Sequence, residues 1–168
     1  GGWRPEPESL EVAGIVRESW GLVADRAAAQ GVDFEVVIAP DAGQVHADPV
    51  ALRQVLSNLL DNALRYTPPG GRITVTARHD PGGVGLAVRD TGIGVTREHL
   101  PRIFERFYRA DAARSRDQGG TGLGLAIVRH LVEAHGGQVS AESELGRGTE
   151  IRCWFPDAPA ALTVVTRS

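Results

Sequence analysis

The chain has 168 residues with 18 basic and 21 acidic side chains, a formal net charge of −3. That length suits about one domain with its own core, and a single cysteine, Cys153, excludes a disulfide framework and a Cys-rich zinc site. Slight acidity without a basic block argues against a nucleic-acid partner. No uncharged apolar run of about 18 residues is long enough to span a membrane, and no segment reads as a signal peptide. Every basic residue is Arg, so a P-loop, which needs Lys, is closed as a route to nucleotide phosphates. With no Met, the chain reads as a piece of a longer protein or a processed product.

Residues 1–8, rich in Gly and Pro, read as a linker. Leu10, Val12, Ile15, Val16, Leu22 and Val23 recur at helical spacing and predict a helix over 9–30, stopped by Gly31. A strand follows over 34–39, then a turn rich in Asp, Pro and Gly. Asp48-Pro49 opens a second helix that runs to Tyr66 and ends at Pro68-Pro69-Gly70-Gly71. Ile73, Val75 and Ala77, then Val84, Leu86 and Val88, alternate as two strands of a hairpin turned at 80–83. From Gly92 to Gly120 periodicity fails. This stretch holds six Arg against four acids, and so long an irregular segment in a compact domain is usually a lid or a binding loop. A third helix over 121–134, a strand over 138–141, a Gly146-Arg147-Gly148 turn and a last strand over 149–155 complete the core. The domain is expected over 9–156, with a tail over 157–168 that is free to be disordered.

Four stretches carry the chemistry. On the second helix, at about 100° per residue, Val55, Leu59, Leu52, Ala63 and Leu56 fill one arc. Asn58, Asn62 and Arg65 line its edge. Amide oxygens suit Mg²⁺ and the guanidinium suits phosphate; a solvated helix face is the plainer alternative. In Asp90-Thr91-Gly92-Ile93-Gly94, Asp90 shares parity with the buried strand residues, so its carboxylate faces inward and needs a partner. An adenine amino group would serve, where Gly92 and Gly94 let a ring come close; a simple turn is the alternative. The run Gly119-Gly120-Thr121-Gly122-Leu123-Gly124-Leu125 opens a helix, where backbone N–H groups and the dipole favour phosphate, unless it is only a hinge. A dinucleotide fingerprint fails there because position 125 is Leu. Finally, Thr149 points inward at the start of the last strand, with Cys153 on the same face as a packed apolar group.

These stretches, in this order, resemble the N, G1, G2 and G3 boxes of the catalytic, ATP-binding domain of sensor histidine kinases, a member of the Bergerat-fold ATPase/kinase superfamily. Ile103–Asp111 similarly resembles the F box. The resemblance covers about residues 45–155. It implies an α+β, two-layer α/β sandwich: a mixed, mostly antiparallel sheet with helices on one face and a mobile ATP lid over 95–119. It further implies ATP and Mg²⁺ as cofactors. Asn62 would bind the metal, Asn58 and Arg65 would reach the phosphates, and these three form the catalytic set. Tyr66 would stack near the adenine, Asp90 would accept from its amino group beside Gly92 and Gly94, and Thr149 would hold an adenine-linked water. Gly120, Thr121, Gly122, Leu123, Gly124 and Leu125 would cradle the phosphates, and Phe104 and Phe107 would anchor the lid.

In the hydrolysing relatives a Glu stands four residues before the metal-binding Asn. Asn58 occupies that place here, and an amide cannot take a proton from water, which favours phosphoryl transfer to a protein. His46, His79, His99, His130 and His135 all lie outside the context of the family's acceptor histidine. The expected partners are therefore a separate dimerisation domain carrying that histidine and, indirectly, a response regulator, with no nucleic acid and no membrane contact by this fragment. The fragment is expected to be monomeric when isolated and cytoplasmic, in a parent sensor of the inner or plasma membrane. A serine kinase of the anti-sigma-factor type and a non-enzymatic nucleotide sensor are the alternatives; Phe104 and Phe107 count against the first, and Asn62, Asp90 and the glycines against the second.

Overall fold

The computed structural model describes residues 2–106, 108 and 123–159. Its strands are β1 (Glu8–Glu11), β2 (Asp33–Ile38), β3 (Gln44–Ala47), β4 (Arg72–Asp80), β5 (Gly83–Asp90), β6 (Gln138–Glu144) and β7 (Gly148–Pro156). Its helices are α1 (Val12–Gly21), α2 (Ala24–Gln30), α3 (Pro49–Tyr66) and α4 (Gly124–Ala134).

The single helix expected over 9–30 is three elements. Leu10 satisfies helical spacing, but Glu8–Glu11 instead pairs antiparallel with Gln44–Ala47 in a two-stranded ribbon. The helix then breaks after Gly21, a poor helix former. The Leu22 and Val23 N–H groups bond back only three residues, to Ser19 and Trp20, and Leu22 is left 79% exposed. The turn expected before α3 therefore contains β3, whose Val45 and Ala47 are buried while Gln44 is exposed. Four residues are too few for alternation to stand out from a turn.

α3 forms where expected. Asp48 caps it, its Oδ1 accepting the Ala51 N–H at 3.0 Å, and Pro49 occupies the first turn. Leu52, Val55, Leu56, Leu59, Leu60, Ala63 and Leu64 are all buried. Replacing Leu60, which is fully buried, with Ala would cost about 2–5 kcal/mol. Thr67 ends the helix by turning its hydroxyl back to the Ala63 carbonyl at 2.6 Å.

The main sheet runs β2-β4-β5-β7-β6. β2 and β4 are parallel and the other neighbours antiparallel, the mixed, mostly antiparallel sheet expected. Register stacks Val75, Val88, Ile151 and Ala141 in one row. That face packs in one core with Val12 and Val16 of α1, the α3 stripe, and Val128 and Val132 of α4. On the opposite face Arg152 bridges Asp80 and Glu150. Cys153 is buried in the core, and burial pushes its thiol up to about 12, so it stays a protonated apolar group.

The next row along the sheet is Ile73, Asp90, Thr149 and Ser143. Hydrophobic packing thus stops one residue from the end of β5, and three polar side chains continue the same face. That is where the fold leaves room for a site.

Candidate functional site

Asp90 is 5% exposed. Its Oδ1 accepts the Gly92 N–H at 2.9 Å and the Thr149 N–H at 3.2 Å, while Oδ2 accepts from none of the described residues. Burial pushes its carboxyl above the ordinary carboxylate range, against the pull of these two bonds. The loop that follows is held in place by close backbone approaches. A Cβ on Gly92 would lie 2.4 Å from the Tyr66 carbonyl oxygen. A Cβ on Gly94, which has φ +75°, would lie 2.2 Å from that of Glu144. Only glycine fits at both. The Ile93 N–H reaches the Tyr66 carbonyl at 3.3 Å, tying the end of α3 to this loop. Tyr66, Asp90, Gly92, Gly94 and Thr149 are thus brought together, although they come from three separate stretches of chain.

The second half of the site runs along α3 towards α4. Asn58 donates through Nδ2 to the Gly124 carbonyl at 3.2 Å, so the seam on α3 meets the start of α4. Asn62 lies one turn further on and is half-buried. No side chain of the described residues caps the α4 N-terminus, where Leu123 precedes Gly124 and Leu125; its first-turn N–H groups have no helical carbonyl to bond. Gly120, Thr121, Gly122 and Phe107 lie outside the described residues, as does much of the expected lid. Phe104 is buried in the core cluster.

Arg65 is placed differently from its neighbours. Its Nη2 pairs with Asp61 Oδ2 at 2.7 Å, Asp61 in turn pairs with Arg26 of α2 at 2.8 Å, and the Arg65 Nε is buried without a partner among the described residues. Three of the histidines have defined partners: His79 meets Asp157 at 2.9 Å, His99 meets Tyr108, and His135 bridges Leu131 and Asp48.

Ser143 was missed by sequence reasoning. It is a hydroxyl at the end of β6, half-buried, bonded to Val95, Gly148 and Thr149. The available signal was its parity with Val139 and Ala141, but the expected strand stopped at Ala141, before reaching it.

An acidic acceptor at the strand ends and amide groups on α3 beside the start of α4 are the arrangement the resemblance leads one to expect of a nucleotide-using ATPase or kinase domain. Residues 47–159 match the family described as histidine kinase-, DNA gyrase B-, and HSP90-like ATPase, and the chain belongs to that family. Within it, the sensor protein DivL of Caulobacter vibrioides is 42% identical over 94% of this chain and 20% of its own length. The sensor histidine kinase CusS of Escherichia coli O157:H7 is 42% identical over 91% of this chain and 31% of its own length. The chain thus spans between about a fifth and a third of these relatives. Among solved structures, full-length ShkA in complex with AMPPNP superposes with a TM-score of 0.82 and 35% identity, covering 96% of this chain and 33% of that one. The catalytic domain of histidine kinase ThkA superposes with a TM-score of 0.78 and 27% identity, covering 90% of this chain and 95% of that one.

Proposed function

We propose that this chain is the catalytic, ATP-binding domain of a sensor histidine kinase, binding Mg-ATP and passing the γ-phosphoryl group to a histidine on a separate dimerisation domain, for relay to a response regulator. The observation that carries this reading is the Asp90 geometry: a buried carboxylate with one oxygen engaged by Gly92 and Thr149 and the other left as an acceptor. A buried acceptor of this kind suits an exocyclic amino donor. Asn58 and Asn62 support the phosphate and metal end. The Asn58 amide nitrogen is engaged by Gly124, which leaves its oxygen as an acceptor. Among the described residues no His, Cys, Asp or Glu cluster could hold a metal ion by itself. Mg²⁺ would be held by the triphosphate and waters, with Asn62 supplying an amide oxygen. The metal neutralises phosphate charge when bound; Asn58 and Asn62 position the chain's side of that complex. Arg65 reaches the phosphates once released from Asp61, Tyr66 lies beside the adenine, and the 120–125 segment with the start of α4 receives the phosphates.

Asn58 has no proton-accepting group, which supports transfer over hydrolysis. The relatives' names support the wider setting, and ThkA has been crystallised with the response regulator protein TrrA. We infer the same order of partners here, with this domain acting as a monomeric unit on the cytoplasmic side of a membrane sensor. No helix among the described residues is long and apolar enough to cross a membrane. The test mixes this chain with its separately expressed dimerisation domain, γ-labelled ATP and Mg²⁺. Acid-labile, base-stable label on that domain is the expected outcome. Acid-stable label would move the assignment to a serine kinase, and binding without any transfer to a nucleotide sensor.

A further inference from the structure

We infer that Ser143 is a positioning residue that fixes the nucleobase specificity of the site by forcing Thr149 to act only as a hydrogen-bond acceptor. The inference rests on the ATP reading above and follows from counting protons. Ser143 Oγ makes three hydrogen bonds: from the Val95 N–H at 2.7 Å, to the Gly148 carbonyl at 2.9 Å, and with Thr149 Oγ1 at 2.8 Å. A carbonyl only accepts and an amide N–H only donates, and a serine hydroxyl has one proton. The one assignment that satisfies all three contacts at once sends that proton to Gly148. The Thr149 hydroxyl must therefore donate to Ser143, which spends its only proton away from the pocket. What Thr149 offers a ligand is lone pairs.

Asp90 lies directly across the ladder from Thr149 and, when ionised, also offers only lone pairs. Two neighbouring acceptors form a wall that suits the 6-amino group of adenine and leaves the 6-oxo group of hypoxanthine or guanine without a donor. A site whose buried polar groups are left unpaired by the wrong ligand rejects it. The same Ser143 oxygen holds Val95, at the start of the segment expected to form the lid, so one side chain joins the nucleobase pocket to the root of that segment.

The test compares Mg-ATP with Mg-ITP, which presents a 6-oxo oxygen for the amino group and an N1–H for the N1 lone pair. Ser143→Ala frees the Thr149 proton to turn toward the pocket and donate. The expected result is a fall of about five- to tenfold in the ATP-to-ITP affinity ratio, measured by calorimetry, with Ser143→Thr restoring the ratio. A merely structural role would weaken both nucleotides together. If Ser143→Ala does not fold, Thr149→Val carries the test, because it removes the acceptor at nearly constant volume and should lower the same ratio. A folded Ser143→Ala or Thr149→Val with the unaltered ratio overturns the inference. Asp90→Asn distinguishes the two levels of the argument. If it also leaves the ratio unaltered, the ATP reading of this pocket is what fails. If it alters the ratio while Ser143→Ala does not, the role of Ser143 fails and the pocket stands.

Discussion

At the proposed nucleobase end of the site, Asp90, Thr149 and Ser143 sit on three neighbouring strands and hydrogen-bond one another or the adjoining backbone. At the phosphate end, Asn58 makes one contact to the start of α4 and Arg65 is drawn aside by Asp61. One end is thus pre-organised before any ligand arrives. At the other, the described side chains lie on one helix, and a charged ligand has to recruit them. Binding is cheaper where groups are already held in place, so under the proposed function the nucleobase end would set recognition and the phosphate end the response to charge. Substitutions in the loop backbone at the first end should lower stability, loss of the buried Asp90 charge should lower affinity without lowering stability, and substitutions at the second end should act on affinity alone.

The largest effect is expected at Gly94. An Ala there needs φ near +75° and puts its Cβ 2.2 Å from the Glu144 carbonyl oxygen, a backbone atom that cannot swing away. Gly94→Ala should cost about 2–4 kcal/mol in unfolding free energy, measured by denaturant titration. A loss under about 0.5 kcal/mol would mean the loop is free to move, and the contrast between the two ends would fail.

Asp90→Asn comes next and separates affinity from stability. Loss of a charge-assisted hydrogen bond should weaken ATP binding by about ten- to a hundredfold. Stability should move the other way. Burial raises the Asp90 carboxyl above its ordinary value of 3.8, so the folded protein holds that proton more tightly than the unfolded chain. The group's stabilising effect is complete below the ordinary value and is lost as pH rises through the raised one. Removing the ionisation should leave the ligand-free protein as stable or more stable at neutral pH, with a shallower pH slope in mild acid. A variant that loses both binding and stability would place Asp90 in the scaffold rather than in recognition.

Asn62→Ala tests the recruited end. ATP affinity in Mg²⁺ should fall about tenfold, the worth of one good polar contact, and the gain in affinity on adding Mg²⁺ should shrink. Unfolding free energy should stay within about 0.5 kcal/mol, as for a half-buried side chain with no hydrogen-bond partner among the described residues. A clear loss of stability instead would show the phosphate end to be as pre-organised as the other.

The same contrast governs what could be read from the amino-acid sequence. Strand parity depends on local chain geometry alone, so the inward orientation of Asp90 and Thr149 was legible. The arc of α3 was legible too, because helical rotation fixes which side chains share a face. Contacts made across the sheet were not. Ser143 lies six residues from Thr149 along the chain and opposite it in register, and the Arg26–Asp61 pair joins residues 35 apart. β1 and β3 escaped for a related reason: each is four residues long, and only their pairing makes them strands. Arg65 shows the limit most plainly. Its position on α3 was fixed by the sequence pattern, but the direction of its guanidinium depends on Asp61 one turn earlier, a residue that carried no functional signal of its own.

The smallest effect marks the boundary of the site. Asp48 caps α3 through Ala51 and also accepts the Glu6 N–H at 2.9 Å, while its own N–H donates to His135 Nε2 at 3.0 Å. The cluster therefore binds the N-terminal segment, α3 and the end of α4 together, at the opposite end of α3 from Tyr66. Asp48→Ala should cost about 1 kcal/mol, the usual worth of a helix cap. The backbone donors from Glu6 and Ala51 hold the Asp48 carboxyl below its ordinary value. Its contribution is accordingly present above that value and lost as pH falls through the depressed one, so the variant should show a flatter acid limb in a plot of stability against pH. ATP affinity should change by less than about twofold, since the cluster makes no hydrogen bond to the described residues proposed to meet the ligand. A larger change in affinity would mean that α3 transmits strain along its length, so that its two ends cannot be treated as independent.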